Sequence, residues 1–117
     1  MTSLPTLLHI ATPDTWAEAQ RVGEYRADSL ISEGFIHLST PEQVLIPANE
    51  RYAGRTDLVL LVIDGSKLSA DLVFEDSYGS GIEFPHVYGP IDLAAVTDIV
   101  DFPSNDDGTF DLPASLH

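Results

Sequence analysis

The chain has 117 residues, 44% of them apolar, no cysteine, and 19 acidic against 5 basic side chains, giving a formal net charge of −14. That length suits one domain, 1–117, able to bury a core without staples. Disulfides and thiol chemistry are excluded, and so is a long nucleic acid, whose phosphates are held by clustered cations.

The N-terminus "MTSLPTLLHI" lacks the basic start and long apolar stretch of a secretory signal, and the longest apolar run, Leu58 to Ile63, is too short to cross a bilayer. A cytoplasmic location with no membrane partner is therefore expected. "TLLHIA" predicts a first strand. "TPDTWAEAQRVG" predicts a helix, with Thr12 as cap, Pro13 in the first turn and Gly23 at the end, and with Trp16 packing on the helix face shared by Ala19, Gln20 and Gly23. "GFIHLS" predicts a second strand. A second helix is expected over "TPEQVLIPANERYAG", with Thr40 as cap, Pro41 first and Gln43 closing a capping box, bent or shortened by Pro47. "LVLLVID" has no polar break before Asp64 and predicts a central strand covered on both faces, closed by Asp64-Gly65. "DLVFED" and "AAVTDIVDF" supply further strands. The intervening "SYGSGIEFPHVYGP" is too dense in glycine and proline for regular structure, and Asp107-Gly108 predicts a late tight turn. "SNDDGTFD" lacks the spacing of a calcium loop and reads as that turn. The sum is an α+β fold with short helices against a largely antiparallel sheet.

One pattern occurs twice. "HIATPD" begins at His9 and "HLSTPE" at His37, each a histidine followed by two residues, Thr-Pro and an acid. Both imidazoles thus stand at a strand end just before a helix start. Alternation puts Phe35, His37 and Ser39 on one face, and Leu7, His9 and Ala11 on another. On neighbouring strands the two rings converge in one cleft, while backbone N–H groups at the helix starts, beside Thr12 and Thr40, offer an anion subsite. Between residues 75 and 90, "FEDSYGSGIEFPHVYGP" adds Glu75, Glu83, His86 and Tyr88: carboxylates, a third imidazole and an aromatic surface. Gly79-Ser80-Gly81 has neither the spacing of a dinucleotide fingerprint nor the lysine of a P-loop.

"LLHIATPDTWAEA", "EGFIHLSTPEQV", "LVLLVID", "FPHVYGPIDLAAV" and "DGTFDLP" together resemble the bacterial domain-of-unknown-function family 952 over nearly the whole chain. That family resembles in fold the ADP-ribosyltransferase-like superfamily, of NAD-dependent transferases and RNA 2′-phosphotransferases. The resemblance implies a split, two-part β structure with an NAD-type cleft. It implies further that His9 takes the first-strand histidine position near the nicotinamide ribose, His37 the second-strand position, and Glu75 that of the transferases' glutamate. Leu7 and Leu8 precede His9 where the phosphotransferases carry an arginine, and the acidity is wrong for RNA, which disfavours tRNA phosphate removal.

The leading expectation is a transferase or hydrolase acting on NAD or another ADP-ribose-type ligand through His9, His37 and Glu75, with Ser39, Thr40, Thr12, His86 and Tyr88 binding the ligand and no metal needed. Glu75 would stabilise an oxocarbenium-like ribose, and His37 could shuttle a proton. Two alternatives stand beside it. One is a noncatalytic module that binds a nucleotide-like ligand or a protein. The other is a divalent-metal site built from His9, His37, His86 and a glutamate, although no HExxH-type pair anchors it.

Overall fold

The computed structural model describes residues 6–76 and 79–116. β1 (Thr6–Ala11), β4 (Val59–Asp64) and β8 (Val96–Asp101) form one antiparallel sheet with β4 in the middle. β3 (Ile36–His37), β6 (Phe84–Val87) and β5 (Leu72–Glu75) form a second, with β6 in the middle, and β2 (Glu24–Tyr25) pairs with β7 (Ile91–Asp92). The α+β class and the antiparallel pairing hold, but the strands divide among three small sheets.

β4 behaves as its sequence predicts. Val59, Leu61 and Ile63 face one apolar cluster and Leu58, Leu60 and Val62 the other. The first cluster is closed by Trp16 and Ala19 of α1 (Pro13–Val22) together with Tyr25, Ile36 and Val87; the second by Val44, Ala48, Phe102 and Phe110. Period-two alternation with apolar residues at every position is what a strand sandwiched between two cores requires. Asp64 then turns the chain, its carboxylate accepting from the Ser66 N–H at 3.0 Å.

α1 also matches its sequence signals. The Thr12 hydroxyl accepts from the Thr15 N–H at 3.2 Å, Pro13 lies in the first turn, and Gly23 ends the helix at φ +103°, a left-handed conformation that glycine adopts without a Cβ penalty. The second expected helix starts later. Residues 41–44 are turns, and α3 spans Leu45–Arg51. The Gln43 side chain does accept from the Thr40 N–H at 3.2 Å, half of the expected capping box, but Pro47 cannot donate and fits only in a first turn, where N–H groups have no partner in the helix. Proline therefore sets the start of this helix rather than a bend within it.

The segment expected to be irregular contains β6, which pairs on both edges. Pro85, lacking an N–H, still offers its carbonyl, which accepts from the Leu38 N–H at 2.9 Å. Ser77 and Tyr78, part of the same segment, lie outside the described residues. The paired two-residue strands β2 and β7 and the short helix α2 (Asp28–Ser32) were not expected. Gly89 follows β6 where a Cβ would lie 2.7 Å from the Ala70 Cβ, so no larger residue fits there without displacing backbone. Asn105 and Gly108 close the late turn at 2.9 Å as expected, although the residues after it form no strand.

The two larger sheets meet at one bridge. Leu8 of β1 and Ser39, just past β3, exchange backbone hydrogen bonds of 2.7 and 2.8 Å. Among the described residues no helix is long and apolar enough to cross a membrane.

Leu61→Ala, at a fully buried position of β4, is expected to lower the unfolding free energy by about 2–5 kcal/mol. Ile31→Ala, at a residue 92% exposed, should change it by about 0.5 kcal/mol or less. Urea titration of both variants measures the contrast.

Candidate functional site

The seam between the sheets carries the histidines. His9 lies on β1, and its ring reaches across the seam, where Nδ1–H donates to the backbone carbonyl of His37 at 2.6 Å. A carbonyl only accepts, so Nδ1 must hold the proton and Nε2 the lone pair. Nε2 then accepts from the Tyr25 hydroxyl at 2.9 Å. Both ring nitrogens are thereby used within the fold, and the ring is 8% exposed. Burial pushes its pKa down to about 4, outweighing the opposing effect of the His37 carbonyl. Burial likewise raises the pKa of Tyr25. His9 is thus a fixed, neutral hydrogen-bonding group.

His37 differs. Its Nε2 pairs with Glu33 at 2.7 Å, one turn back at the end of α2, and about a quarter of its side chain is exposed. Opposite it in the β3–β6 register stands His86, the two rings edge to face with centroids 5.2 Å apart. Phe35 stacks on His86 at 4.1 Å and also touches His37 and Tyr88. Strand alternation produces this face: cross-strand partners share a side of the sheet, and residues two apart on one strand share it too.

His86 is 1% exposed. Its Nδ1–H donates to the Glu75 carboxylate at 2.8 Å, and the Tyr88 hydroxyl donates to the same oxygen. Those two donors, Tyr88 the stronger, hold Glu75 below the usual carboxylate range. Hydrogen bonding to Glu75 in turn raises the pKa of Tyr88. Among the described residues Nε2 of His86 is buried with no hydrogen-bond partner. Leaving such an atom unsatisfied costs about 1–3 kcal/mol, which marks the position as serving something besides stability.

Two hollows flank His37. The first, about 290 Å³, is lined by His9, His37, Tyr25 and Thr12, with Arg26 and Arg51 in its walls. The second, about 410 Å³, is lined by His37 and His86 together with Ile46, Ile82 and Phe84. Ser39, Pro47 and Arg51 border both, and volumes near 300–1,000 Å³ are usual for small-molecule sites. Arg26 also pairs with Glu24, as Arg21 does with Glu18 and Arg55 with Asp57.

His9 and His37 therefore share a hollow, and Ser39 stands beside them. Thr12 lines it as well, while its hydroxyl is spent on capping α1. His86 lines only the second hollow. Glu75 stands behind His86 and Tyr88 borders a separate, shallower hollow, so neither faces His9. Thr40 anchors the turn before α3. The three imidazoles do not converge as ligands: among the described residues no group of three His, Asp or Glu side chains is placed to hold a metal ion. Sequence reasoning missed Tyr25, which fixes His9. Phe35 was legible as a face-mate of His37, but its stacking on His86 depends on the pairing of β3 with β6.

These features define an α+β protein with a histidine-lined seam between two antiparallel sheets. Within that class the chain belongs to the family described as a protein of unknown function (DUF952), whose profile matches residues 10–99. It is similar to the crystal structure of protein CC0527 from Caulobacter crescentus, with 33% identity, coverage of 95% of this chain and 97% of that one, and a TM-score of 0.84. A double mutant of CC0527 gives 32% identity over the same shares and the same TM-score of 0.84. The solution NMR structure of CC0527 gives 33% identity, 91% of each chain and a TM-score of 0.78. No curated protein matches the chain.

The neutral, buried His9 gives a signed pH dependence. Unfolded, its imidazole titrates near 6.5; folded, near 4. Between those values the unfolded state binds the extra proton, so His9's contribution to stability is intact above about pH 6.5 and is lost as pH falls toward 4. The full loss is about 3 kcal/mol at 1.36 kcal/mol per unit. Urea titrations at a series of pH values should show this slope in the native chain and a flatter one in His9→Gln.

Proposed function

We propose that this chain binds an ADP-ribose-type ligand such as NAD in the hollow shared by His9 and His37, and acts on it as a transferase or hydrolase. The observation that carries this reading is the common hollow itself. Two histidine positions from separate segments line it, and Arg26 and Arg51, in a chain with only five basic residues, stand in its walls. Guanidinium groups suit a diphosphate. The arrangement of two three-stranded sheets joined at one bridge is consistent with the split β structure of ADP-ribosyltransferase-like proteins.

The chemistry divides among the residues according to their hydrogen bonds. His9, locked by Tyr25 and the His37 carbonyl, orients the ligand and does not exchange protons at neutral pH. His37, partly exposed and paired with Glu33, is the group suited to proton transfer as the ribose C–N bond breaks and water or an acceptor hydroxyl adds. Glu75 acts through His86, because its carboxylate is turned to that ring and not toward the first hollow. It is a positioning residue in this scheme. A small ligand and no long nucleic acid complete the reading.

A second reading, a noncatalytic binding module, is favoured by one specific observation: both nitrogens of His9 are already occupied and Glu75 faces away.

Calorimetric titration with NAD and with ADP-ribose, alongside an assay of nicotinamide release, separates the two. The enzyme reading expects saturable binding, and turnover lowered about 100-fold or more in His37→Ala, in keeping with loss of a general acid–base group. Saturable binding without nicotinamide release or transfer selects the module. Absence of saturable binding by either ligand overturns both.

A further inference from the structure

The reading above leaves the second hollow and the unpartnered Nε2 of His86 unused. We propose that this hollow is a separate binding site for a small carboxylic acid with an apolar body and a hydroxyl or N–H donor, the donor meeting His86 Nε2 and the carboxylate pairing with Arg51.

The polarity of His86 follows from its partner. Glu75 accepts from Nδ1, so the neutral ring carries its lone pair on Nε2 and calls for a donor. Among the described residues nothing supplies one, although the atom is buried. The ring's orientation is fixed from two sides. Nδ1 is turned to Glu75, which does not line the hollow, and Phe35 covers one ring face at 4.1 Å. The edge bearing Nε2 is the part left to serve the cavity.

The walls specify the rest of the ligand. Ile46, Pro47, Ile82 and Phe84 are apolar, which favours a ligand with a compact hydrophobic body. Arg51 also lines the cavity and selects an anion, while the adjacent Glu50 disfavours a second acidic group. Nε2 is shielded from solvent in the empty site, so the donor reaches it as a neighbouring side chain moves. His37 packs edge-on against His86 at 5.2 Å and borders both hollows, so it is the neighbour whose displacement from its Glu33 pair would open the way to Nε2. The site does not depend on what occupies the first hollow.

The test uses two defined probes, 4-hydroxybenzoate and benzoate, which differ only in the donor. Each is titrated into the isotope-labelled full chain at about pH 8, where an ordinary imidazole is neutral, and followed by NMR. Saturable shifts are expected at Ile46, Ile82 and Phe84, with about tenfold tighter binding of 4-hydroxybenzoate, or ~1.4 kcal/mol. His86→Phe, which keeps an aromatic ring against Phe35 and removes the nitrogen, should make the two probes equal. Arg51→Met should weaken both alike. In the unsubstituted chain the Nε2 resonance of His86 should move on adding 4-hydroxybenzoate and stay put with benzoate, which provides a readout whether or not His86→Phe folds. A hydroxyl preference that survives in His86→Phe, an Nε2 resonance that does not move, or no saturable shift around this hollow each overturns the proposal. None of these readouts involves NAD, so failure of the nucleotide titration leaves them standing.

Discussion

The seam at Leu8 and Ser39 is the constraint on which the rest depends. Two sheets, each of three strands, are joined there by a reciprocal pair of backbone hydrogen bonds, and the ring of His9, next to Leu8, clamps the carbonyl of His37, two residues before Ser39. An isolated bridge is a weak joint. Adding a charge-free imidazole bond inside a low-dielectric interior stiffens it, because the bond is shielded from competing water. This requires His9 to remain neutral, and burial beside Tyr25 enforces that. The same clamp places His37 where both hollows meet, so fold stability and site geometry rest on the same hydrogen bond.

The site is consequently graded from rigid to adjustable. His9 has no spare nitrogen, His37 is about a quarter exposed with Nε2 on Glu33, and His86 is enclosed with one nitrogen committed to Glu75 and the other, among the described residues, without a partner. Three imidazoles within one short chain thereby take three different roles from their surroundings alone. Composition could not distinguish them, since it reports residue types and not which ring atom meets which neighbour.

How far the sequence could be read follows from the range of the forces involved. β4 was legible because an apolar run bounded by Asp64-Gly65 has few alternatives, and α1 because its cap, first-turn proline and terminal glycine all act within a turn. The start of α3 was misplaced because Thr40 and Gln43 form half of a capping box around a turn, while Pro47 restricts where the helix begins. β6 was hidden by the glycines and prolines around it; one of its partners, β5, is the preceding strand, but the other, β3, lies far earlier in the chain. Two-residue strands such as β2 are too short to show alternation. At the site, the two histidines of the repeated His-x-x-Thr-Pro context, His9 and His37, line one hollow. The Glu75–His86 pair and the stacking on Phe35 come from sheet register, which local pattern does not encode.

The arginine pairings have a consequence for how ligands arrive. Arg21, Arg26 and Arg55 each sit beside a carboxylate two or three residues away, so much of the scarce positive charge is cancelled locally and the exterior stays anionic. Such exposed pairs add little to stability. An incoming anion therefore approaches against the long-range field and meets the arginines of the first hollow, Arg26 and Arg51, only at close quarters. Encounter is then quickened by ionic screening, the reverse of the salt response of a protein that gathers phosphates with clustered cations.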